Sequence, residues 1–157
     1  DKNYLSFKII IVGQQSVGKT ALAYNYVKGE FKHDYNVTVG VEFPANQQKF
    51  RIRQYRCKSG IQYWPAIIVG WLEAFGSVVR TFYKGACAVL LVYAIDSVSS
   101  FEALKHWTKE VKEHAHEQVC IFLVGTKLDL EARREVNRKD AERFMKRLVD
   151  RSLWRPA

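Results

Sequence analysis

Apolar positions along the chain come in two patterns, short continuous runs and longer stretches at helical spacing. Residues 7–12 (FKIIIV) are apolar and β-branched, the signature of a strand buried on both faces. Residues 19–28 follow at helical spacing, and Gly29 supplies a stop signal. Residues 37–43 alternate in strand fashion, and residues 86–95 (ACAVLLVYAI) form the strongest buried run. Ser99 with Glu102 predicts a capping-box start, after which Phe101, Leu104, Trp107 and Val111 share one helical face. Residues 120–124 (CIFLV) predict another buried strand. Asn137 and Asp140 open a last helix with Ala141, Phe144, Met145 and Leu148 at inward spacing.

Strands that are apolar throughout, separated by helices, predict an α/β fold: a mostly parallel sheet with helices on both faces. At 157 residues the chain is the size of one domain, 1–157, and no repeat or linker divides it. No apolar run is long enough to span a bilayer, and the N-terminal residues lack a signal-peptide plan. Cys57, Cys87 and Cys120 have no metal-ligand spacing and read as reduced thiols of an intracellular protein. The formal charge of +9 is concentrated at residues 49–58 and 133–155. It fits anionic partners or a solvated basic face, and no recognition motif points to nucleic acid.

The most specific chemistry lies between the first strand and the first helix. Gly13-x-x-x-x-Gly18-Lys19-Thr20 matches the phosphate-loop pattern in full, in the strand–loop–helix setting the pattern requires. Such a loop curls so that backbone N–H groups face phosphate oxygens, and the helix N-terminus adds partial positive charge. Lys19 would bridge the β- and γ-phosphates, and the Thr20 hydroxyl would ligate Mg²⁺. A second signal, Gly125-Thr126-Lys127-Leu128-Asp129, follows the strand at 120–124. A carboxylate at Asp129 can accept from N1–H and the exocyclic amine of guanine, a donor pair that adenine lacks. The Lys127 stem would lie along the ring.

These segments, with "FKHDYNVTVGVEF", "RTFYKGACAVLLVYAIDSVSSFEAL", "FLVGTKLDL" and "REV", resemble a small GTPase of the Ras superfamily, most closely the Rab branch. The resemblance covers roughly two-thirds of the chain in family order. It implies a small G-protein fold with GTP or GDP as ligand, Mg²⁺ as cofactor and GTP hydrolysis as the activity. Gly13, Gln14, Gln15, Ser16, Val17, Gly18, Lys19, Thr20 and Ala21 would cradle the phosphates. Phe31, Thr126, Lys127 and Asp129 would hold the base. Lys19 and Thr38 are the catalytic candidates, and Thr20 with Thr38 the metal ligands. The resemblance also implies effector and exchange-factor partners at the switch I region around Thr38, and a role in vesicle traffic, in the cytoplasm or peripheral on endomembranes.

Departures from the family pattern are as informative. Rabs carry W-D-T-A-G-Q-E before the FYKGA segment. Counting back from Phe82 places residues 67–73 (IIVGWLE) there, with Ile68 for the Mg²⁺-linked aspartate and Leu72 for the water-orienting glutamine. Matching on Trp71 instead puts Leu72 and Glu73 after it, with Gly76 as the glycine; neither alignment supplies the two functional side chains. Gln15 and Ser16 replace the small residues usual beside the γ-phosphate, and Thr126 stands where most Rabs have asparagine. The interval from Thr38 to Phe82 is long for the family and contains Pro65, which should interrupt a central strand. The family's last strand, S-A-K loop, long helix and prenylated cysteines find no match, so a domain truncated at its C-terminus, without a lipidation motif, is expected.

Of the remaining candidates, His33, His106, His114 and His116 are read as surface or helix-end residues that converge on no carboxylate. Asp96 is read as a turn or cap residue. The expected function is a guanine-nucleotide-binding, Rab-like protein with impaired hydrolysis. The alternative is a pseudo-GTPase that keeps the fold as a binding or scaffold domain.

Overall fold

The structure, a computed structural model, describes residues 8–31, 41–42, 67–69 and 81–149. Its elements run β1 (Lys8–Val12), α1 (Lys19–Lys28), β2 (Val41–Glu42), β3 (Ile67–Val69), β4 (Ala86–Ala94), α2 (Val98–Glu102), α3 (Leu104–His114), β5 (Cys120–Thr126), a 3₁₀ helix (Leu128–Arg133) and α4 (Arg138–Val149). The five strands form one sheet in the order β2-β3-β1-β4-β5. β1 runs parallel to β3 and β4, and β4 parallel to β5; only β2 is antiparallel. The expected neighbours β1 and β4 are paired, Ile10 against Val89 and Val12 against Leu91.

Alternation along the central strands divides the core between two faces. Ile10 and Val12 of β1 and Val89, Leu91 and Tyr93 of β4 join Leu104, Trp107 and Val111 of α3 and Leu148 of α4. Ile11, Val92 and Ala94 point the other way and meet Val17 and Ala23. Both faces of the sheet are therefore covered, as continuous apolar strands require. At β5 the cover thins: Phe122, level with Leu90, is 53% exposed.

The boundaries follow local chemistry. Gly29 ends α1 in the left-handed conformation (φ 72°), its N–H donating to Asn25 O at 2.8 Å. Asn137 caps α4, its side chain accepting from Lys139 N at 2.9 Å. The capping box expected from Ser99 is displaced. Ser97 is the cap, accepting from Ser100 N at 3.2 Å, because its extended backbone frees its hydroxyl to reach forward. The helix that follows also breaks at Ala103 into α2 and α3. Within the alternating stretch at 37–43, Val41–Glu42 form a strand; the rest of it lies outside the described residues, as does Pro65.

One histidine expectation is overturned. The Nε2 of His114 stands 3.6 Å from Glu110 and 3.8 Å from Glu113, since positions one helical turn apart share a face. Among the described residues no helix is long and apolar enough to cross a membrane.

Ser100 locks the end of β4 to the start of α2. Its buried hydroxyl accepts from Ala94 N at 3.0 Å and donates to Ser97 O at 2.8 Å. Ser100→Ala should cost about 1–3 kcal/mol by leaving the Ala94 N–H unpaired. A urea melt that matched wild type would refute that role.

Candidate functional site

The loop leaving β1 is seated directly on β4. A Cβ at Gly13 would stand 2.2 Å from the carbonyl oxygen of Val92, so only glycine can occupy this position. The backbone then turns through Ser16 (φ 65°) and Gly18 (φ 89°) into α1. Gly18 is the N-cap and has no side chain to cap the first turn. Lys19 opens α1 and is 6% exposed, its Nζ donating to Gly13 O at 2.9 Å and Gln14 O at 2.7 Å. Burial pushes its pKa down to about 8 from an ordinary 10.5. The ammonium is thus held among neutral carbonyls at a helix N-terminus, where an anion would be stabilised.

β5 delivers a second loop to the same rim of the sheet. Thr126, its last residue, places Oγ1 2.5 Å from Val17 O and 3.0 Å from Tyr93 O. A hydroxyl has one proton, and the shorter contact assigns it to Val17, which ties the two loops together. Lys127 follows at φ 61°, with Nζ 3.7 Å from Asp96 Oδ1 at the end of β4. Asp129 lies in the first turn of the 3₁₀ helix. That helix is anchored behind: Arg134 forks onto Glu131 at 2.9 and 2.6 Å, and the N–H groups of Glu135 and Val136 donate to Ile95 O at 2.9 and 3.0 Å. The hydrogen bonds from Arg134 hold the Glu131 carboxyl below its ordinary range.

The loops leaving β1 and β5, the strands on either side of β4, meet at one rim of a parallel sheet, where nucleotide-binding domains carry their sites. A sequence model of the Ras family matches residues 8–151. The chain belongs to the Ras family. It is similar to Ras-related protein Rab-13 of Rattus norvegicus, with 33% identity over 138 residues, 88% of this chain and 64% of that protein. The Ras-family chain therefore spans less than two-thirds of that relative's length. Its fold is that of the family's P-loop GTPases, a parallel sheet with helices.

The residues singled out in this Ras-family sequence divide into four groups. Gly13, Gln14, Gln15, Ser16, Val17 and Gly18 form the loop, and Lys19, Thr20 and Ala21 open α1. Of these, Gln15 and Ser16 are exposed, Val17 and Lys19 are buried, and Thr20 and Ala21 are half-buried. Thr126, Lys127 and Asp129 stand beside that loop through the Thr126–Val17 contact. Phe31 is 62% exposed just beyond α1. Thr38, Leu72, Glu73 and Gly76 lie outside the described residues, while Ile68 falls inside β3.

Asp96 lies in a turn, one of the two places read for it; the cap is Ser97, and sequence reasoning missed that Asp96 pairs with Lys127. The signal was indirect: Ala94 and Thr126 are register partners, so the residues just past them on β4 and β5 must meet.

Lys19 gives a pH test. With a folded pKa of about 8 against 10.5, the cost of burying the ammonium is fully present below pH 8. Between those values the folded state sheds a proton that the unfolded state retains, so stability rises with pH by up to about 3 kcal/mol. The difference in unfolding free energy between wild type and Lys19→Met should climb across that window. A flat difference in denaturant titrations would sink the assignment.

Proposed function

We propose that this chain binds GTP and GDP with Mg²⁺ as a Rab-like switch in intracellular membrane traffic, and that its GTP hydrolysis is impaired. The observation that carries the reading is the joining of the two loops by Thr126. It sets Lys19 and the phosphate turn at a fixed spacing from Lys127 and Asp129. The loop seated on β4 at Gly13 and the buried Lys19 ammonium at the start of α1 suit a phosphate. Gly13, Gln14, Gln15, Ser16, Val17, Gly18, Lys19, Thr20 and Ala21 would hold the phosphates, with Lys19 balancing their charge. Phe31, Thr126, Lys127 and Asp129 would hold guanine. Thr20 and Thr38 would ligate Mg²⁺, which when bound neutralises charge on the phosphate oxygens. Effectors and exchange factors would bind around Thr38, and the chain would work in the cytoplasm, peripheral to membranes. None of this calls for nucleic acid.

Base choice is directly testable. Asp129→Asn should weaken GDP binding and favour xanthosine diphosphate, whose exocyclic oxygen accepts where guanine donates. Titration with mant-labelled nucleotides reads this, and an unchanged guanine preference would remove Asp129 from the base site.

Impairment follows from chemistry rather than from binding. Turnover in this fold is positioning plus charge stabilisation, with a glutamine orienting the attacking water. Leu72 cannot orient a water, Ile68 cannot organise a metal shell, and Gln15 crowds the space beside the γ-phosphate. Glu73 would be repelled by the triphosphate. The same residues favour the second reading, a binding domain without a nucleotide cycle. Single-turnover GTP hydrolysis is expected below about 10⁻⁴ per second, with fast nucleotide exchange. A rate above that level would mean that another residue orients the water, and no guanine-nucleotide binding at all would favour the second reading.

A further inference from the structure

At the rim of the sheet away from the phosphate loop, the chain gathers a different set of groups. β4 and β5 are parallel, so the segments entering them meet at one rim, and the nucleotide-site loops leave from the other. Tyr83 lies just before β4, and His114 ends α3 just before β5. Glu110, Glu113 and His114 each bring one ligand atom, and these atoms lie within 4.8 Å of one another. Nε2 of His114 is 3.6 Å from Glu110 Oε2 and 3.8 Å from Glu113 Oε2. Tetrahedral geometry on bonds of roughly 2.1 Å separates ligand atoms by about 3.4 Å. Small rotamer adjustments of two glutamates close that difference. The side chains of Glu110, Glu113 and His114 are 27%, 48% and 18% exposed, while Nε2 of His114 is itself buried and has no hydrogen-bond partner among the described residues.

A second observation lies behind the cluster. Tyr83 is 0% exposed, its hydroxyl is buried without a hydrogen-bond partner among the described residues, and its ring centroid is 6.2 Å from that of His114. Burial first and the nearby Glu110 charge second raise its pKa, so the phenol remains a proton donor. A buried hydroxyl without an acceptor costs on the order of 1–3 kcal/mol, and the Tyr83 ring stands beside His114 with the Glu110 charge near enough to act on the phenol. A metal-bound water or a reoriented metal-bound carboxylate would supply the missing acceptor.

We propose that Glu110, Glu113 and His114, backed by the Tyr83 hydroxyl, bind one borderline divalent transition-metal ion of the zinc class. Two carboxylates and a neutral imidazole balance a dication. The imidazole selects zinc, cobalt or nickel over magnesium and calcium, which prefer oxygen alone. The position at the C-terminal end of α3 adds the helix's partial negative charge. Opposing it is an exposed pair, Lys109 with Glu113 at 3.8 Å, worth little in solvent. Three protein ligands leave a position open to water or to a partner's side chain.

Co²⁺ titration of the full chain after EDTA dialysis, read by visible absorption, tests the site, with Zn²⁺ as competitor. One equivalent should bind with bands of a low-coordinate ion, and Zn²⁺ should displace it. His114→Ala and the well-exposed Glu113→Gln should each abolish stoichiometric binding, while Tyr83→Phe should weaken it about 10–100-fold as loss of a supporting hydrogen bond. Binding should be unchanged in excess Mg²⁺ and GDP, which separates this site from the nucleotide site. Absence of stoichiometric Co²⁺, or equal affinity in Glu113→Gln and wild type, would overturn the proposal and leave the cluster as a surface contact of one imidazole with two carboxylates.

Discussion

Between Gly13 and the carbonyl of Val92 there is no room for a carbon atom. That contact fixes where the chain leaves β1, and everything on the phosphate side follows from it. With the loop flat on β4, Val17 turns back into the core face shared by Ile11 and Val92. Its carbonyl then meets Thr126 at the end of the next strand. Lys19 is drawn beneath the same turn. A larger residue at position 13 would lift the loop and uncouple three features at once, so a single steric limit sets the geometry of two loops far apart in sequence.

Much of this was legible in the amino-acid order. The run at 86–95, the spacing of Leu104, Trp107 and Val111, and the glycine after Lys28 each specify an element through one strong local preference, and each element formed. The phosphate loop was legible because its requirement is steric and its glycines are invariant consequences of that requirement. What escaped were pairings that depend on strand order. Asp96 meets Lys127, and His114 meets two glutamates, only once register and helix phase are known. The cap slipped to Ser97 because Ser97 and Ser99 are chemically equal candidates, and only the extended backbone at Ser97 decides between them.

The site is expensive for the fold to keep. A desolvated ammonium at Lys19 and left-handed backbone at Ser16 and Lys127 all sit on one rim. Non-glycine residues in that conformation cost about 1–2 kcal/mol each. Local preferences that oppose the global fold are the usual mark of a surface kept for chemistry rather than for stability. The cluster of Glu110, Glu113 and His114 at the other rim is milder, its buried costs among the described residues being the unpartnered Tyr83 hydroxyl and His114 Nε2.

The two faces of the sheet are unequal. α3 and α4 are secured by tyrosine, leucine and tryptophan side chains, whereas α1 rests on Val17 and Ala23 against small strand residues, with Leu22 at the margin. Among the described residues less apolar area holds α1 down, and free energies of local opening scale with such area. On that area α1 with its loop would open before the α3 face. Amide hydrogens of α1 would exchange through that partial opening and those of β4 only through global unfolding. A ligand gripping the loop would then act as the clasp of the weaker half, coupling occupancy to the order of one helix and leaving the rest of the molecule unmoved.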